Sequence, residues 1–430
     1  MTVRTITAHR RFEIAGEMYV PGDKSIAHRA MILGALARGR TLIKGAPLSA
    51  DVNSTYSALK ALGVPLERSG TSISVDGTGK GRLPARDAVV DCGGSATTMR
   101  LLLGAVAARG QRTTLVGDQY LSVRPMRRVM APLSTMGALF EAREGDFAPV
   151  VVTPPERLSA GKFFMEVASA QVKTALLIAA LFADGRSEIR GALGSRDHAE
   201  RMIPRMGGRV VVTKEAIVVE PGLLDGIAIS VPGDPSTAAF FAAAAALGKN
   251  SSLTIRDMST NPTRMGFFEA LSWMGADVAQ QDAAGDSFEP HGDVTVRWSP
   301  LRPIEIHSEA VPFLVDEVPL VILLATQAEG RTALHGVGEL RLKETDRIRC
   351  AVAGLRAMGA SILVDGDSVF VDGPTPLSGA TLDPCGDHRM SMMFTLAAHI
   401  AQGTSTIIDV DCESKSCPEF YPMLQKVLSR

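Results

Sequence analysis

Apolar residues recur along this chain in two alternating patterns. In the first, a small polar residue opens a stretch that is apolar on nearly every side, as at residues 175–182 and 238–247. A helix with that composition is buried all round. Six helices of this kind, four of them largely apolar all round, open at Ser25, Ser95, Ser169, Ser236, Asp316 and Asp387, and close at Gly39, Gly110, Gly185, Gly248, Gly330 and Gly403. Small polar residues at these openings are read as N-caps. Successive openings lie 67 to 80 residues apart. A short β-branched run follows each glycine, such as Thr41-Leu42-Ile43 or Thr113-Thr114-Leu115-Val116. In the second pattern the helices are amphipathic and stop at Leu62-Gly63, Met136-Gly137, Met206-Gly207, Met274-Gly275 and Met358-Gly359. Glycine there suits a left-handed position just past the helix end. Strands are expected to follow, as at residues 72–75, 361–364 and 368–371, and a sixth partner helix at residues 420–428. The chain thus reads as six strand–helix–strand–helix–strand–strand units of about 70 residues, an α/β protein made by repetition.

One opening is duplicated almost word for word. Val20-Pro21-Gly22-Asp23-Lys24-Ser25 reappears as Val231-Pro232-Gly233-Asp234-Pro235-Ser236. The pair is the natural crossover between two groups of three units. It predicts one domain over residues 22–231 and a second made of 1–21 with 232–430, hinged near 20–23 and 231–234. A strand over residues 5–20 would belong to the second domain. In the first copy Ser25 is expected to cap a helix over residues 26–37. The start of that helix offers free N–H groups and a positive dipole end, and Lys24 and Arg29 add full charges, so it suits an anion. The second copy has Pro235 in place of lysine, so the charge is expected in one copy only.

Composition narrows the classes. The chain has 430 residues, 46% hydrophobic and 21% charged, with a formal net charge of −1. Two domains suit that length. No bulk field is available for nucleic acid or an anionic membrane, so any anion site must come from local clustering. Residues 1–11 lack the apolar core of a secretory signal, and the longest apolar runs fall well short of the roughly 18–20 residues of a bilayer span. Cys92, Cys350, Cys385, Cys412 and Cys417 have no zinc or disulfide spacing. Together these point to a reducing cytoplasm.

Charge gathers at the helix openings. Lys24 and Arg29 flank the first, Arg100 follows Gly93-Gly94-Ser95-Ala96-Thr97-Thr98, and Gln171 and Lys173 flank the third. Arg124-Pro125-Met126-Arg127-Arg128, Ser195-Arg196-Asp197-His198, Arg341-Leu342-Lys343-Glu344-Thr345-Asp346-Arg347 and Asp387-His388-Arg389 open others, and Asp316-Glu317 opens the fifth buried helix. Taken singly, each is an ordinary cap or a solvated cation. The glycine loop at 93–98 is not a Walker A loop, since no Gly-Lys-Ser/Thr follows. Their recurrence at equivalent repeat positions is what points to function. If the openings face one cleft, six or more cations meet two or three carboxylates there. That set suits phosphate- and carboxylate-bearing substrates with an acid–base pair among the cations.

These same residues resemble a known family. Pro21-Gly22-Asp23-Lys24-Ser25-Ile26-Ala27-His28-Arg29, Arg124-Pro125-Met126, Ala168-Ser169-Ala170-Gln171-Val172-Lys173, Ser195-Arg196-Asp197-His198, Val315-Asp316-Glu317, Leu342-Lys343-Glu344-Thr345-Asp346-Arg347 and Asp387-His388-Arg389 are similar to the signatures of 5-enolpyruvylshikimate-3-phosphate synthases, in family order. The resemblance implies a two-domain enolpyruvyl transferase fold, an inside-out α/β barrel with three βαβαββ units per domain, closing on substrate. It implies transfer of the enolpyruvyl group of phosphoenolpyruvate to the 5-hydroxyl of shikimate 3-phosphate, without metal or organic cofactor, in a monomer that binds neither nucleic acid nor membrane. By the same resemblance, Ser25 and Arg29 would hold the shikimate carboxylate, and Ser169, Ala170, Ser195 and Arg196 would lie at its phosphate. Gln171, Lys343, Lys24 and Asp316 would also touch shikimate 3-phosphate. Lys24, Arg124 and Lys415 would surround the phosphate of phosphoenolpyruvate, with Ala96 and Gln171 beside it, and Arg347 and Arg389 would clamp its carboxylate. Asp316 would take the proton of the attacking hydroxyl and Glu344 would protonate the methylene carbon, with Lys24 the third catalytic group.

The chain departs from the common family pattern at four points. Ala96 and Ala170 stand where glycine and serine are frequent, and resemble the branch that tolerates glyphosate. Cys417 replaces an aromatic residue, and Asp383-Pro384-Cys385-Gly386 is an unusual lead-in to Asp387. Two other readings stay open on the sequence. UDP-N-acetylglucosamine enolpyruvyl transferase shares the fold and donor but generally carries a reactive loop cysteine, for which Cys92 is the one candidate between Pro21 and Pro232. A non-catalytic anion-binding repeat protein would need the cations without Asp316 and Glu344.

Overall fold

In the computed structural model, which describes residues 2–7, 12–285 and 287–428, the two patterns become two classes of helix. Twelve α-helices lie among the described residues. They are α1 (Lys24–Leu36), α2 (Ala50–Ala61), α3 (Ala96–Arg109), α4 (Arg127–Thr135), α5 (Ala170–Ala180), α6 (His198–Arg205), α7 (Pro235–Leu247), α8 (Gly266–Trp273), α9 (Val318–Ala325), α10 (Arg347–Ala357), α11 (His388–Ile400) and α12 (Phe420–Val427). The odd-numbered helices are the buried class. Every residue of α9 is buried, as is every residue of α7 except Leu247. Phe240 and Phe241 of α7 are fully enclosed, each a contribution of about 1.5–3 kcal/mol from apolar burial. The even-numbered helices from α2 to α10 stop as expected. Leu62, Met136, Met206, Met274 and Met358 are C-caps, and the glycine after each has φ between +81° and +102°. Only glycine takes that conformation without strain.

By internal contacts the chain forms two compact units, Gly22–Val231 and Met1–Pro21 with Pro232–Arg430. We call them the central and the terminal unit. The central unit holds three four-stranded sheets and the terminal unit two four-stranded sheets and one of three strands. Each sheet follows one rule. A parallel pair of strands, one entering and one leaving a buried helix, is completed by two antiparallel strands in the four-stranded sheets and by one in the three-stranded sheet. Ala88–Asp91 pairs parallel with Thr113–Val116, which pairs antiparallel with Phe147–Thr153, which takes Leu139–Arg143 at the edge. The parallel pair requires a crossover, which α3 supplies. In this packing α3 meets α5 backbone to backbone. A Cβ at Gly104 would lie 2.5 Å from the Ala175 carbonyl oxygen.

The two Val-Pro-Gly-Asp segments exchange strands. Ala15–Tyr19 precedes α1 in the chain but pairs with Ser252–Ser259, beyond α7. Ala228–Ser230 precedes α7 but pairs with Arg38–Lys44, beyond α1. Both pairs are parallel, so the central unit completes its first repeat with its own last strand, and the terminal unit with a strand that precedes the central unit in the chain.

Four details differ from the sequence reading. The N-cap of α1 is Asp23, whose Oδ1 accepts from the Ser25 and Ile26 N–H groups at 2.6 and 3.2 Å, so Ser25 lies in the first turn. Asp234 likewise displaces Ser236 as the cap of α7. In both, a carboxylate two residues before the serine takes the serine's own N–H, so the helix begins earlier than expected. Glu317 occupies the cap position of α9, and Asp316 is engaged by cations instead. The expected strand over 5–20 is two strands in two sheets: Arg4–Thr7 pairs with Thr404–Ile407 and completes the last repeat, and Ala15–Tyr19 pairs as above. Residues 8–11 of that expectation lie outside the described residues. Among the described residues no helix is long and apolar enough to cross a membrane.

Candidate active site

In the central unit the helix openings are bonded to one another. Lys24, first in α1, pairs through Nζ with Asp51 Oδ2 of α2 at 2.8 Å. Arg29, one turn on, is buried: Nε donates to Thr174 Oγ1 at 3.1 Å, Nη1 to the Ser25 carbonyl at 2.9 Å and Nη2 to the Ala170 carbonyl at 3.2 Å. It joins α1 to the start of α5. Arg196 Nη1, just before α6, donates to Ser25 Oγ at 3.3 Å. Gln171 of α5 donates through Nε2 to Thr97 Oγ1 at 2.9 Å and accepts from Arg100 Nη1 at 2.7 Å, joining α5 to α3. Arg100 also donates to the Pro125 carbonyl at 3.0 Å, beside the buried Arg124 that leads into α4. Ser169 caps α5, Ala170 follows it, and Ala96 is the buried first residue of α3. Ser195 is buried, and its Oγ has no hydrogen-bond partner among the described residues. A buried hydroxyl without a partner costs stability unless a ligand supplies one. The sequence-derived residues of this unit, Lys24, Ser25, Arg29, Ala96, Arg124, Ser169, Ala170, Gln171, Ser195 and Arg196, thus all lie at the starts of α1 and α3–α6.

One cation near these starts is structural. Lys173 is buried against Glu200 at 2.7 Å and bonds the Leu193 and Ser195 carbonyls at 3.1 Å, which sets the loop before α6. At the opposite end of α3, a cavity of about 990 Å³ is lined by Arg82, Arg109 and Arg157, but all three donate to backbone carbonyls. Cations alone do not make the site.

In the terminal unit the starts of α9, α10 and α11 meet around one guanidinium. Arg347, first in α10 and 1% exposed, donates through Nε to Asp387 Oδ2 at 2.7 Å, through Nη1 to Asp316 Oδ1 at 3.0 Å and through Nη2 to Glu344 Oε2 at 2.5 Å. Burial alone would lower the pKa of this guanidinium. Asp387, Glu344 and Asp316 outweigh burial and hold it above the ordinary arginine value. Asp316 also lies 3.6 Å from Lys343 Nζ and 3.6 Å from Arg389 Nη2, and Arg389 Nη1 donates to Glu317 at 3.3 Å. Asp387, fully buried, caps α11 through the Arg389 N–H.

Lys415 lies close to the root of that cluster. Its Nζ donates at 3.0 Å to the carbonyl of Gly386, next to Asp387. The unusual lead-in accounts for this. Asp383 accepts from the Cys385 N–H at 2.7 Å, Cys385 and Gly386 both have positive φ, and the Asp387 N–H closes the turn on Pro384, turning the Gly386 carbonyl toward the lysine. The turn that carries Lys415 is itself anchored, since Glu413 takes a forked pair of bonds from Arg4 at 2.7 and 2.8 Å and one from Ser391 at 2.7 Å.

Sequence reasoning missed the partner carboxylates. Asp51 on Lys24, Glu317 on Arg389 and Glu413 behind Lys415 belong to the pattern of acids at helix openings, but nothing local tells which cation each meets. Of the cysteines, Cys92 is fully buried and burial pushes its thiol well above the usual range, so it lacks thiolate character. Cys417 is likewise a core residue.

The six crossed-over units define the enolpyruvyl transferase fold. The enolpyruvyl transferase NikO from Streptomyces tendae superposes with a TM-score of 0.77 at 19% identity, covering 99% of this chain and 97% of its own, a likeness of fold alone. The profile of EPSP synthase (3-phosphoshikimate 1-carboxyvinyltransferase) matches residues 9–424, and the chain belongs to that family. It is 44% identical to the 3-phosphoshikimate 1-carboxyvinyltransferase of Geobacillus kaustophilus over 96% of this chain and 98% of that one. It is 42% identical to the corresponding protein of Geobacter sulfurreducens over 99% and 100%. EPSP synthase from Acinetobacter baumannii superposes with a TM-score of 0.87 at 33% identity, covering 99% and 98%.

Proposed function

We propose that this chain transfers the carboxyvinyl group of phosphoenolpyruvate to the 5-hydroxyl of shikimate 3-phosphate, releasing phosphate. Family membership along nearly the whole chain supports the activity. One observation carries the chemistry: Asp316 and Glu344 lie among Arg347, Arg389 and Lys343 at the starts of α9–α11. Two carboxylates in different charge surroundings can divide a proton uptake and a proton delivery.

In this reading Asp316 takes the proton of the 5-hydroxyl as its oxygen bonds to the central carbon of phosphoenolpyruvate. Glu344 gives a proton to the methylene carbon, which becomes a methyl group. Glu344, left as a carboxylate, then takes a proton back from the methyl group, and the double bond re-forms as the C–O bond to phosphate breaks. Lys24, Arg124 and Lys415 take the phosphate of phosphoenolpyruvate, with Ala96 and Gln171 beside it and Lys24 assisting the departing charge. Arg347 and Arg389 take its carboxylate. Ser25 and Arg29 hold the shikimate carboxylate, and Ser169, Ala170, Gln171, Ser195, Arg196 and Lys343 hold the rest of shikimate 3-phosphate. The partnerless Ser195 Oγ supports a ligand oxygen at that point. We infer that the paired crossings near 20–23 and 231–234 act as a hinge. We also infer a cytoplasmic monomer, for which light scattering after gel filtration is the check, and weak inhibition by glyphosate.

The test is phosphate release from phosphoenolpyruvate with and without shikimate 3-phosphate. Release should require both. Asp316→Ala should lower turnover by about 10²- to 10⁴-fold while shikimate 3-phosphate binding survives. Unchanged turnover removes the role given to Asp316. Release without the acceptor removes the transferase.

A further inference from the structure

A second cluster of ligating side chains lies outside the groups assigned above. In the terminal unit, Glu305–Ile306 runs parallel to Gly330–Leu334, with Ile306 opposite Leu334. The next residue on each strand is a histidine. The His335 N–H continues the ladder to the Ile306 carbonyl at 2.9 Å, so His307 and His335 leave the sheet side by side, their rings stacked 5.7 Å apart at 13°. His335 Nε2 is 3.0 Å from Glu305 Oε1, and its Nδ1 is 3.1 Å from Ser368 Oγ. One ligand atom each from Glu305, His307 and His335 lies within 4.8 Å of the other two.

We propose that Glu305, His307 and His335 bind a divalent transition ion of the zinc class. Two imidazoles and one carboxylate are a donor set for such an ion, whereas Mg²⁺ and Ca²⁺ prefer oxygen alone. In the tautomer whose Nδ1–H donates to Ser368, the Nε2 lone pair of His335 is available to a metal 3.0 Å from the Glu305 carboxylate; in the other, Nε2–H donates to Glu305, so the ion competes with a proton at this position. Donation of the second ring N–H to a neighbour is also how metal-binding histidines are oriented. Tetrahedral Zn²⁺ needs ligand atoms about 3.3 Å apart; Glu305 Oε1 and His335 Nε2 already stand 3.0 Å apart, and the exposed His307, whose ligand atom lies within 4.8 Å of both, is the side chain that has to move in. Solvent supplies the fourth position. The ion takes no part in the transfer. Its place gives it a bracing role: His307 and His335 stand at the roots of the two loops that carry Asp316 and Glu344, each nine residues farther on.

The experiment titrates Zn²⁺ into the metal-free full-length chain by calorimetry, with Co²⁺ absorption as a second probe. One ion per chain should bind saturably, raise Tm, and slow hydrogen exchange in residues 308–316 and 336–344. His307→Ala, His335→Ala and Glu305→Gln should each weaken binding by more than the roughly 10- to 100-fold that an outer hydrogen bond commands, with metal-free turnover kept. Should an alanine variant lose its metal-free Tm, His307→Gln replaces it. No saturable binding, binding retained in the His307→Ala/His335→Ala double variant, or a cobalt–thiolate charge-transfer band that puts the ion on cysteine overturns the site. Binding without slowed exchange overturns the bracing role.

Discussion

The starts of α1 and α7 share a Val-Pro-Gly-Asp lead and the same aspartate cap, yet they handle charge in opposite ways. At α1 the cation is on the helix itself. Lys24 reaches Asp51 near the surface of the central unit, with side chains 16% and 14% exposed. At α7 proline takes the lysine position, and the sequence there shows no cation. The structure supplies one from elsewhere. Arg264 donates to Asp234 Oδ1 at 2.8 Å and Ser236 Oγ at 2.9 Å, with the pair 3% and 7% exposed. A repeated scaffold therefore places a positive charge at both helix starts. Only the first is accessible enough to meet an anion. The second, sealed against its own cap, is a structural pair.

Substitution at the two cations separates them most sharply. Lys24→Met should lower turnover by about 10²- to 10³-fold, the usual loss when a donor to a developing charge is removed. Its stability cost should be about 1–2 kcal/mol, between the surface and buried limits for an ion pair. Arg264→Met should do the reverse. It strands a buried carboxylate, which costs about 3–5 kcal/mol, while turnover per folded molecule stays near that of the parent. Urea denaturation and phosphate release, measured on both variants, give the four numbers. A stable Arg264→Met with lost turnover would erase the contrast.

That contrast also shows what was legible in the sequence. The odd-numbered helices declare themselves because an all-round apolar stretch has no other home, and the even-numbered ones because Leu/Met-Gly marks a left-handed stop. The caps of α1 and α7 were misread because Asp23 and Ser25, or Asp234 and Ser236, are chemically interchangeable as caps and spacing does not choose between them. Arg264 on Asp234, Asp51 on Lys24 and Glu317 on Arg389 are tertiary pairings with no local trace. The expected strand over 5–20 fell in the right unit, but its division into Arg4–Thr7 and Ala15–Tyr19 was not legible for the same reason: the partner of the first, Thr404–Ile407, is some 400 residues away. The helix openings as a set of candidate groups could be read from repetition. Which cation faces which carboxylate could not.

A smaller effect tests the ground under the α1 start. His28 is fully buried, bonded through Nδ1 to Thr55, which meets Thr98 at 2.6 Å, which donates to Ser95. This neutral chain ties α1, α2 and α3 together beneath Lys24. Burial is the main cause that lowers the pKa of His28 to about 3, against 6.5 when unfolded. Between those values the unfolded chain binds the extra proton, so stability is full above pH 6.5 and falls as pH drops toward 3. The slope is about 1.4 kcal/mol per pH unit, or about 2 kcal/mol by pH 5. Urea midpoints at pH 7.5 and 5 should show that loss in the parent and a shallower one in His28→Gln. Equal slopes would take His28 out of the account.

The smallest expected effect is one methyl group at the start of α3. Ala96 is the first residue of that helix and is almost fully buried, with Ser95 capping the Thr98 N–H behind it. A backbone N–H at a helix start approaches an anion most closely where no side chain intervenes. In the site proposed above, phosphoenolpyruvate would be short enough to share the space with the Ala96 methyl, whereas the longer glyphosate would be crowded by it. Ala96→Gly should therefore sharpen the inhibitor's binding more than the substrate's. The ratio of the glyphosate inhibition constant to the KM for phosphoenolpyruvate should fall by about tenfold, roughly 1.4 kcal/mol and within the range set by one buried methylene-sized group. Removing the methyl also raises backbone freedom at the helix start, at a cost of up to about 1 kcal/mol in stability. An unchanged ratio would mean that the methyl does not face the anion, and that the start of α3, like that of α7, serves the scaffold alone.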